Sequence, residues 1–274
     1  MVIQSIFIFI FGLIIGSFLT LYTYRSPRTI SVKKGRSKCD RCGKKISWFD
    51  NIPLISYLLL KGKCRYCGNK ISLRYPLIEF STGILFAGIY YFYINCATIL
   101  QGGTFEGNPF CAWTDLLGLW ILPYLLLVST VLVAIFVIDL EHQIIPDNLV
   151  FLLFVVNIMA LILFRVDNLY EILFVSFAAS LFFLMLHLVT KGRGMGLGDV
   201  KLVLALSPIF TWQVTITWIF LSFVIGAILG LILISLKRAS FGKHIAFGPF
   251  LIFSFFIALF WGESLSRYII PYMP

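Results

Sequence analysis

Apolar positions in this 274-residue chain fall in long uninterrupted runs. A soluble helix would show a one-sided stripe instead. The runs predict helices at Val2 to Leu21, Pro76 to Asn95, Leu116 to Ile138, Leu149 to Phe164, Leu169 to Thr190, Val200 to Phe210, Val214 to Leu236 and Phe247 to Trp261. Most approach the length of about 20 residues that a bilayer demands. The sixth is short and interrupted by Pro208 and Trp212, so a seven-span count is the alternative to eight. Because hydrocarbon leaves no partner for open backbone groups, and the runs are near 20 residues rather than alternating 10-mers, helices are favoured over a barrel. The fold class is all-α and polytopic, with about eight transmembrane helices. Composition agrees: 60% of residues are hydrophobic, 17% aromatic and only 12% charged, with a mean hydropathy of +0.97. The first run carries almost no charge before it, so it reads as a retained helix rather than a cleaved signal.

Charge sets the orientation independently. With eight spans and the N-terminus outside, the loops 22–75, 191–201 and 237–245 share one side and hold 20 of the 22 Lys and Arg residues. Arg165 and Arg267 are left on the other. The positive-inside rule makes the three basic loops cytoplasmic and both termini external. It also accounts for the net charge of +10 without any nucleic-acid partner; the lipid bilayer is the partner that composition demands, and the basic loop suits anionic lipid heads. Three regions follow: a first helix at 1–21, a cytoplasmic loop at 22–75, and a membrane core at 76–274 with the remaining helices.

The long polar loop contains a short repeat, CDRCGKKIS against CRYCGNKIS. Each half is a Cys-x-x-Cys turn followed by Gly, the shape of a zinc knuckle. Two knuckles bring Cys39, Cys42, Cys64 and Cys67 to one tetrahedral zinc site. Disulfides or redox pairs are the alternative, disfavoured on the reducing side of the membrane. Four thiolates leave no open position, so this zinc is expected to be structural. Cys96 and Cys111 lie in an external loop and form either a disulfide or two unrelated thiols.

Only 12 acids are present, and each is expensive inside a membrane. Asp139 ends an apolar run at the cytoplasmic end of the third helix, and Asp199 stands at the cytoplasmic entrance of the sixth. Two acids 60 positions apart thus reach the same depth on the same face. For each taken separately, helix capping or interfacial anchoring is the alternative. Asp147, after Pro146, reads as a helix cap; Glu141 and His142 read as interfacial. Gly194, Gly196 and Gly198 precede Asp199 and allow close backbone approach. They do not read as a phosphate loop, lacking a preceding strand and Gly-Lys-Ser/Thr. Lys191 to Gly198 is a candidate hinge. Two carboxylates in a poorly solvated site hold one proton between them. The ionised member can take a proton from water while the neutral one polarises a carbonyl, which amounts to peptide hydrolysis without a covalent intermediate.

Five segments in order, GLIIGSFLTLYTYRSP (12–27), the cysteine loop from Cys39 to Glu79, IDLEHQIIPD, GMGLGDVKL and FGPFL (247–251), resemble the bacterial type IV prepilin peptidases (prepilin leader peptidase/N-methyltransferases). The resemblance implies that Asp139 and Asp199 form a catalytic dyad and that the four loop cysteines bind zinc. It also implies type IV prepilin or pseudopilin substrates, cut at the cytoplasmic face of the inner membrane after a leader's terminal Gly. A second activity is implied too, methylation of the new N-terminus from S-adenosylmethionine. Thr20, Asp40 and Ala246 depart from the family pattern, and none is a dyad or zinc residue. No site for the methyl donor is legible; Glu79 and Gly83 are the first candidates, with a buried polar contact and helix packing as their alternative reading. Peptidase activity alone, a proton-coupled transporter whose acids carry protons, and a non-enzymatic assembly factor are the competing functions.

Overall fold

A computed structural model describes residues 2–28, 37–39, 41–100, 110–111, 113, 117–164, 169–192, 194–236 and 246–270. The basic loop 237–245, together with Asp40, Glu106, Asp115, Arg165, Asp167 and Arg193, lies outside them. The described residues form helices and no named strand: α1 (Val2–Arg25), α2 (Ile55–Leu59), α3 (Arg74–Leu100), α4 (Ile121–His142), α5 (Asp147–Phe164), α6 (Leu169–Val189), α7 (Leu197–Leu206), α8 (Trp212–Ser235) and α9 (Gly248–Ile269). Seven are long and apolar enough to cross a membrane, and the protein is a multi-pass membrane protein. The sixth predicted span forms as α7, ten residues long, with a rise of about 15 Å. A 3-10 turn at Ser207–Ile209 extends it, with Pro208 inside the turn. Proline has no N–H and ends the α-helical ladder there.

The chain divides into two compact units: Met1–Tyr91 with Leu122–Ala134, and Phe92–Ile121 with Ile135–Pro274. In the first, α1 lies directly on α3. A Cβ at Gly16 would stand 2.7 Å from the Glu79 Cα, and one at Gly12 2.8 Å from the Gly83 Cα. This is the small-xxx-small approach by which membrane helices gain packing without a hydrophobic driving force. Arg74 adds polar ties from α3 to α1, donating to the Thr20 carbonyl at 3.2 Å and to Thr23 Oγ1 at 2.7 Å.

In the second unit, α7 is the buried centre; Leu202, Val203, Ala205 and Leu206 have no exposed surface. Carbonyls in α7 and the turn after it find side-chain donors. Asn157 Nδ2 of α5 donates to the Ala205 carbonyl at 2.6 Å, and Trp113 Nε1 donates to the Ile209 carbonyl at 2.7 Å. Such bonds satisfy the groups a helix end leaves open. The rings of Phe210, Trp218 of α8 and Phe255 of α9 pack within 6.0 Å of one another, and Trp218 Nε1 donates to the Leu251 carbonyl. Cys96 and Cys111 are joined by a disulfide, resolving that pair.

Candidate active site

Asp139 lies in the last turn of α4, which ends where Gln143 turns into the left-handed region and its N–H donates to the Asp139 carbonyl. Its carboxylate is buried, at 4% exposure, and rests against the first residue of α9. A Cβ on Gly248 would overlap Asp139 Oδ2, so only glycine admits the acid there. Asp199 is the third residue of α7 and is 6% exposed. Gly196 caps that helix; having no side chain, it supplies only its N–H, which donates to Asp199 Oδ2 at 3.1 Å. One oxygen of Asp199 therefore closes the helix end, a capping role. The other, Oδ1, has no hydrogen-bond partner in the protein, and neither has Asp139 Oδ2. Buried polar atoms are almost always paired, so two bare carboxylate oxygens in one place are informative.

That place is a cavity of about 210 Å³ lined by Asp139, Gln143, Ile145, Gly192, Gly194, Met195, Gly196, Gly198, Asp199, Ala246 and Phe247. Both acids thus line one and the same cavity. Four glycines leave the wall as bare backbone. Two of them have identified reasons. Gly192 adopts φ +74° in the turn that ends α6, with its N–H donating to the His187 carbonyl. At Gly198, a Cβ would come within 2.9 Å of Ile145, so its absence lets α7 approach the segment after α4. His187, at the end of α6, reaches over this loop: Nδ1 is 2.7 Å from the Met195 carbonyl. Asp147 opens α5 with its carboxylate 2.7 Å from Lys201 Nζ, an exposed pair of small energetic weight.

Nothing in the sequence pattern singles out His187 or Gly248. The contact of Gly248 with Asp139 joins residues far apart in the chain, and no local spacing announces it. The family-like FGPFL segment is the one signal near Gly248.

The cysteine loop is built as two copies of one turn. Lys38 bridges Lys45 and Lys63 bridges Lys70, both antiparallel. Within each, the carbonyl of the first cysteine accepts from a glycine N–H, Gly43 to Cys39 and Gly68 to Cys64, both at 2.9 Å. Those glycines have φ of +68° and +70° with open space around them, so conformation rather than room selects glycine. The Sγ atoms of Cys39, Cys42, Cys64 and Cys67 lie within 4.8 Å of one another, and none is in a disulfide. Cys39 Sγ is 3.9 Å from Cys67 Sγ. Four sulfurs at about 2.3 Å from a central ion stand about 3.8 Å apart in a tetrahedron, so the cluster fits a four-thiolate zinc site. Backbone N–H groups of Cys42, then Arg41, hold the Cys39 thiol down to about 7, whereas Cys42, despite the Lys44 backbone donor, is pushed up to about 11 by burial and by the neighbouring Cys39 and Cys67 thiols. Asp50 and Arg65 lock the copies together through a two-pronged pair at 2.7 to 3.0 Å, and Ser47 Oγ meets the Tyr66 hydroxyl at 3.0 Å.

Glu79, weighed as a methyl-donor residue, accepts from the Leu54 N–H at 2.9 Å and anchors the start of α2 to α3. Gly83 faces Phe9 and Leu13 of α1, each 2.9 Å from where its Cβ would be. Both residues thus have structural work.

These features define a polytopic helical membrane protein with paired buried acids and a four-cysteine loop. Residues 10–93 match the bacterial peptidase A24 N-terminal domain, and residues 111–231 match the type IV leader peptidase family. A Pseudomonas aeruginosa protein named prepilin leader peptidase/N-methyltransferase is 33% identical over 284 residues, covering 93% of this chain and 90% of its own. Proteins of that name from Stutzerimonas stutzeri and Aeromonas salmonicida are 31% and 32% identical, covering 94% and 95% of this chain and 90% and 92% of theirs. No solved structure gives a significant match. The chain belongs to the type IV leader peptidase family. The transporter reading of the acids finds no support in these matches.

Proposed function

We propose that this protein removes the leader peptide from type IV prepilins or pseudopilins and then methylates the new N-terminus with S-adenosylmethionine as donor. The names of the relatives supply the substrate class. The observation that carries the peptidase half is the pair of buried oxygens, Asp139 Oδ2 and Asp199 Oδ1, bare of protein partners at one cavity. In this mechanism the pair shares one proton. The ionised carboxylate takes a proton from water as its oxygen attacks the scissile carbonyl, and the neutral partner donates to the carbonyl oxygen. On collapse of the tetrahedral intermediate, the first carboxyl passes its proton to the leaving amine, and the second recovers its own from the intermediate, restoring the starting state. The glycine wall admits an extended substrate backbone beside the acids, suiting a leader that ends in glycine.

The four-cysteine cluster would hold zinc, whose role is to fold a loop with little core of its own. In the membrane the loops 22–75, 191–201 and 237–245 face the cytoplasm, both termini face outward, and the membrane is the bacterial inner membrane.

Incubating the protein in lipid with a prepilin and S-adenosylmethionine, then weighing the pilin, tests both halves. Loss of the leader plus one methyl group is expected. An intact prepilin would reject the peptidase, and a cleaved but unmethylated product would leave a peptidase alone.

A further inference from the structure

We propose that His187 is a positioning residue for Asp199, acting through a single peptide bond. This rests on the reading of Asp199 as half of the catalytic pair. The Met195 carbonyl, which can only accept, lies 2.7 Å from His187 Nδ1; that nitrogen therefore carries the hydrogen, whichever charge the ring bears. The same peptide unit continues into the Gly196 N–H, which donates to Asp199 Oδ2 at 3.1 Å. His187 thus grips the oxygen end of a planar, rigid amide whose nitrogen end grips the carboxylate. Rotating that plane would swing the Gly196 N–H away from Oδ2 and free the carboxylate to turn.

The surroundings keep the link in register. Thr190 Oγ1 donates to the Leu186 carbonyl at 2.7 Å, closing the end of α6. The turn then reverses at Gly192, where a Cβ would meet His187 Cε1 at 3.3 Å. The ring lies flush over the turn because nothing projects from Gly192. Met195 is buried, at 6% exposure, which fixes the other side of the amide. His187 itself does not line the cavity. It should therefore influence how the carboxylate is held, and hence kcat, more than substrate binding.

The test measures kcat and KM for prepilin cleavage by the full-length protein in lipid, for His187→Leu, His187→Asn, His187→Gln and Asp199→Asn. Leu fills the space without a donor. Asn places an N–H close to where Nδ1 stands, and Gln carries it one carbon too far. Loss of one aligned hydrogen bond predicts that kcat falls about tenfold for H187L and H187Q with KM nearly unchanged, and that H187N recovers most of the rate. The zinc content and heat stability of each variant control for folding; if H187L does not fold, the comparison of H187N with H187Q decides. A wild-type kcat for H187L, or equal losses in folded H187N and H187Q, would overturn the link while Asp199→Asn stays inactive. Normal cleavage by Asp199→Asn would instead remove the dyad reading, and this proposal with it.

Discussion

Gly248 offers a residue-scale separation of chemistry from folding, because what an added methyl meets there is a carboxylate rather than a packed core. A Cβ overlaps Asp139 Oδ2 and stands 3.2 Å from Ile145 Cδ1, so Gly248→Ala should displace the acid while α9 still forms. The expected outcome is a fall in leader cleavage of about 10²-fold, the scale of a lost proton-transfer partner, with unchanged insertion measured by membrane fractionation. The cysteines give a second prediction, on pH. With Cys39 lowered to about 7 and its neighbour Cys42 raised to about 11, zinc binding must displace protons from the thiols. Zinc affinity, measured by chelator competition, should therefore be tighter at pH 8 than at pH 6; an unchanged affinity would remove the thiolates as ligands. Residue type makes these positions legible: rare acids in apolar surroundings and duplicated Cys-x-x-Cys turns stand out in any hydropathy reading. His187 does not stand out, since a histidine near a helix end is unremarkable until the Met195 carbonyl is found beside it.

At the scale of elements, long apolar runs predict α1, α3, α4, α5, α6 and α8 to within about five residues at each end, because in hydrocarbon the run is the helix; α9 instead continues past the expected end at Trp261 to Ile269, since the polar residues Glu263 and Arg267 interrupt the apolar run without ending the helix. The short α7 is harder to read. Its apolar run extends to Phe210, but Pro208 converts the end to a 3-10 turn, and carbonyls there are taken by Asn157 and Trp113 from other parts of the chain. Replacing Asn157 with Leu keeps its size and leaves the buried Ala205 carbonyl without that donor. A loss of about 1–3 kcal/mol in stability is expected, read as a lower unfolding temperature in lipid; no change would mean α7 is held by packing alone. On α1, Gly16→Leu should push α1 off α3, since 2.7 Å to the Glu79 Cα leaves no room for any side chain. Glu79 also anchors Leu54, so the four-cysteine loop should become more sensitive to protease in that variant.

For the whole molecule, the number of crossings decides which side each loop faces. An eight-span path with an external N-terminus returns the C-terminus to the outside, whereas a chain in which α7 does not cross leaves it in the cytoplasm. A C-terminal tag should therefore be digested by protease added to spheroplasts; protection there, with digestion in inverted vesicles, would remove α7 from the count. The proposed orientation rests on the placing of 20 of 22 basic residues, and the tag experiment tests it. The meeting of Asp139 with Asp199 can only be inferred from a shared depth, since no spacing rule joins residues on separate helices. Everything proposed for the site depends on these two acids acting as one unit. Prepilin cleavage by Asp139→Asn, Asp199→Asn and the double variant decides that, since each change keeps the shape of the side chain and removes its ionisation. Acids that act together should each be indispensable: either single change abolishes cleavage to about the same extent and the double is no worse, with all three inserted and zinc-loaded. Leader removal continuing at near wild-type rate in either single variant would show that the pair is not the catalytic unit.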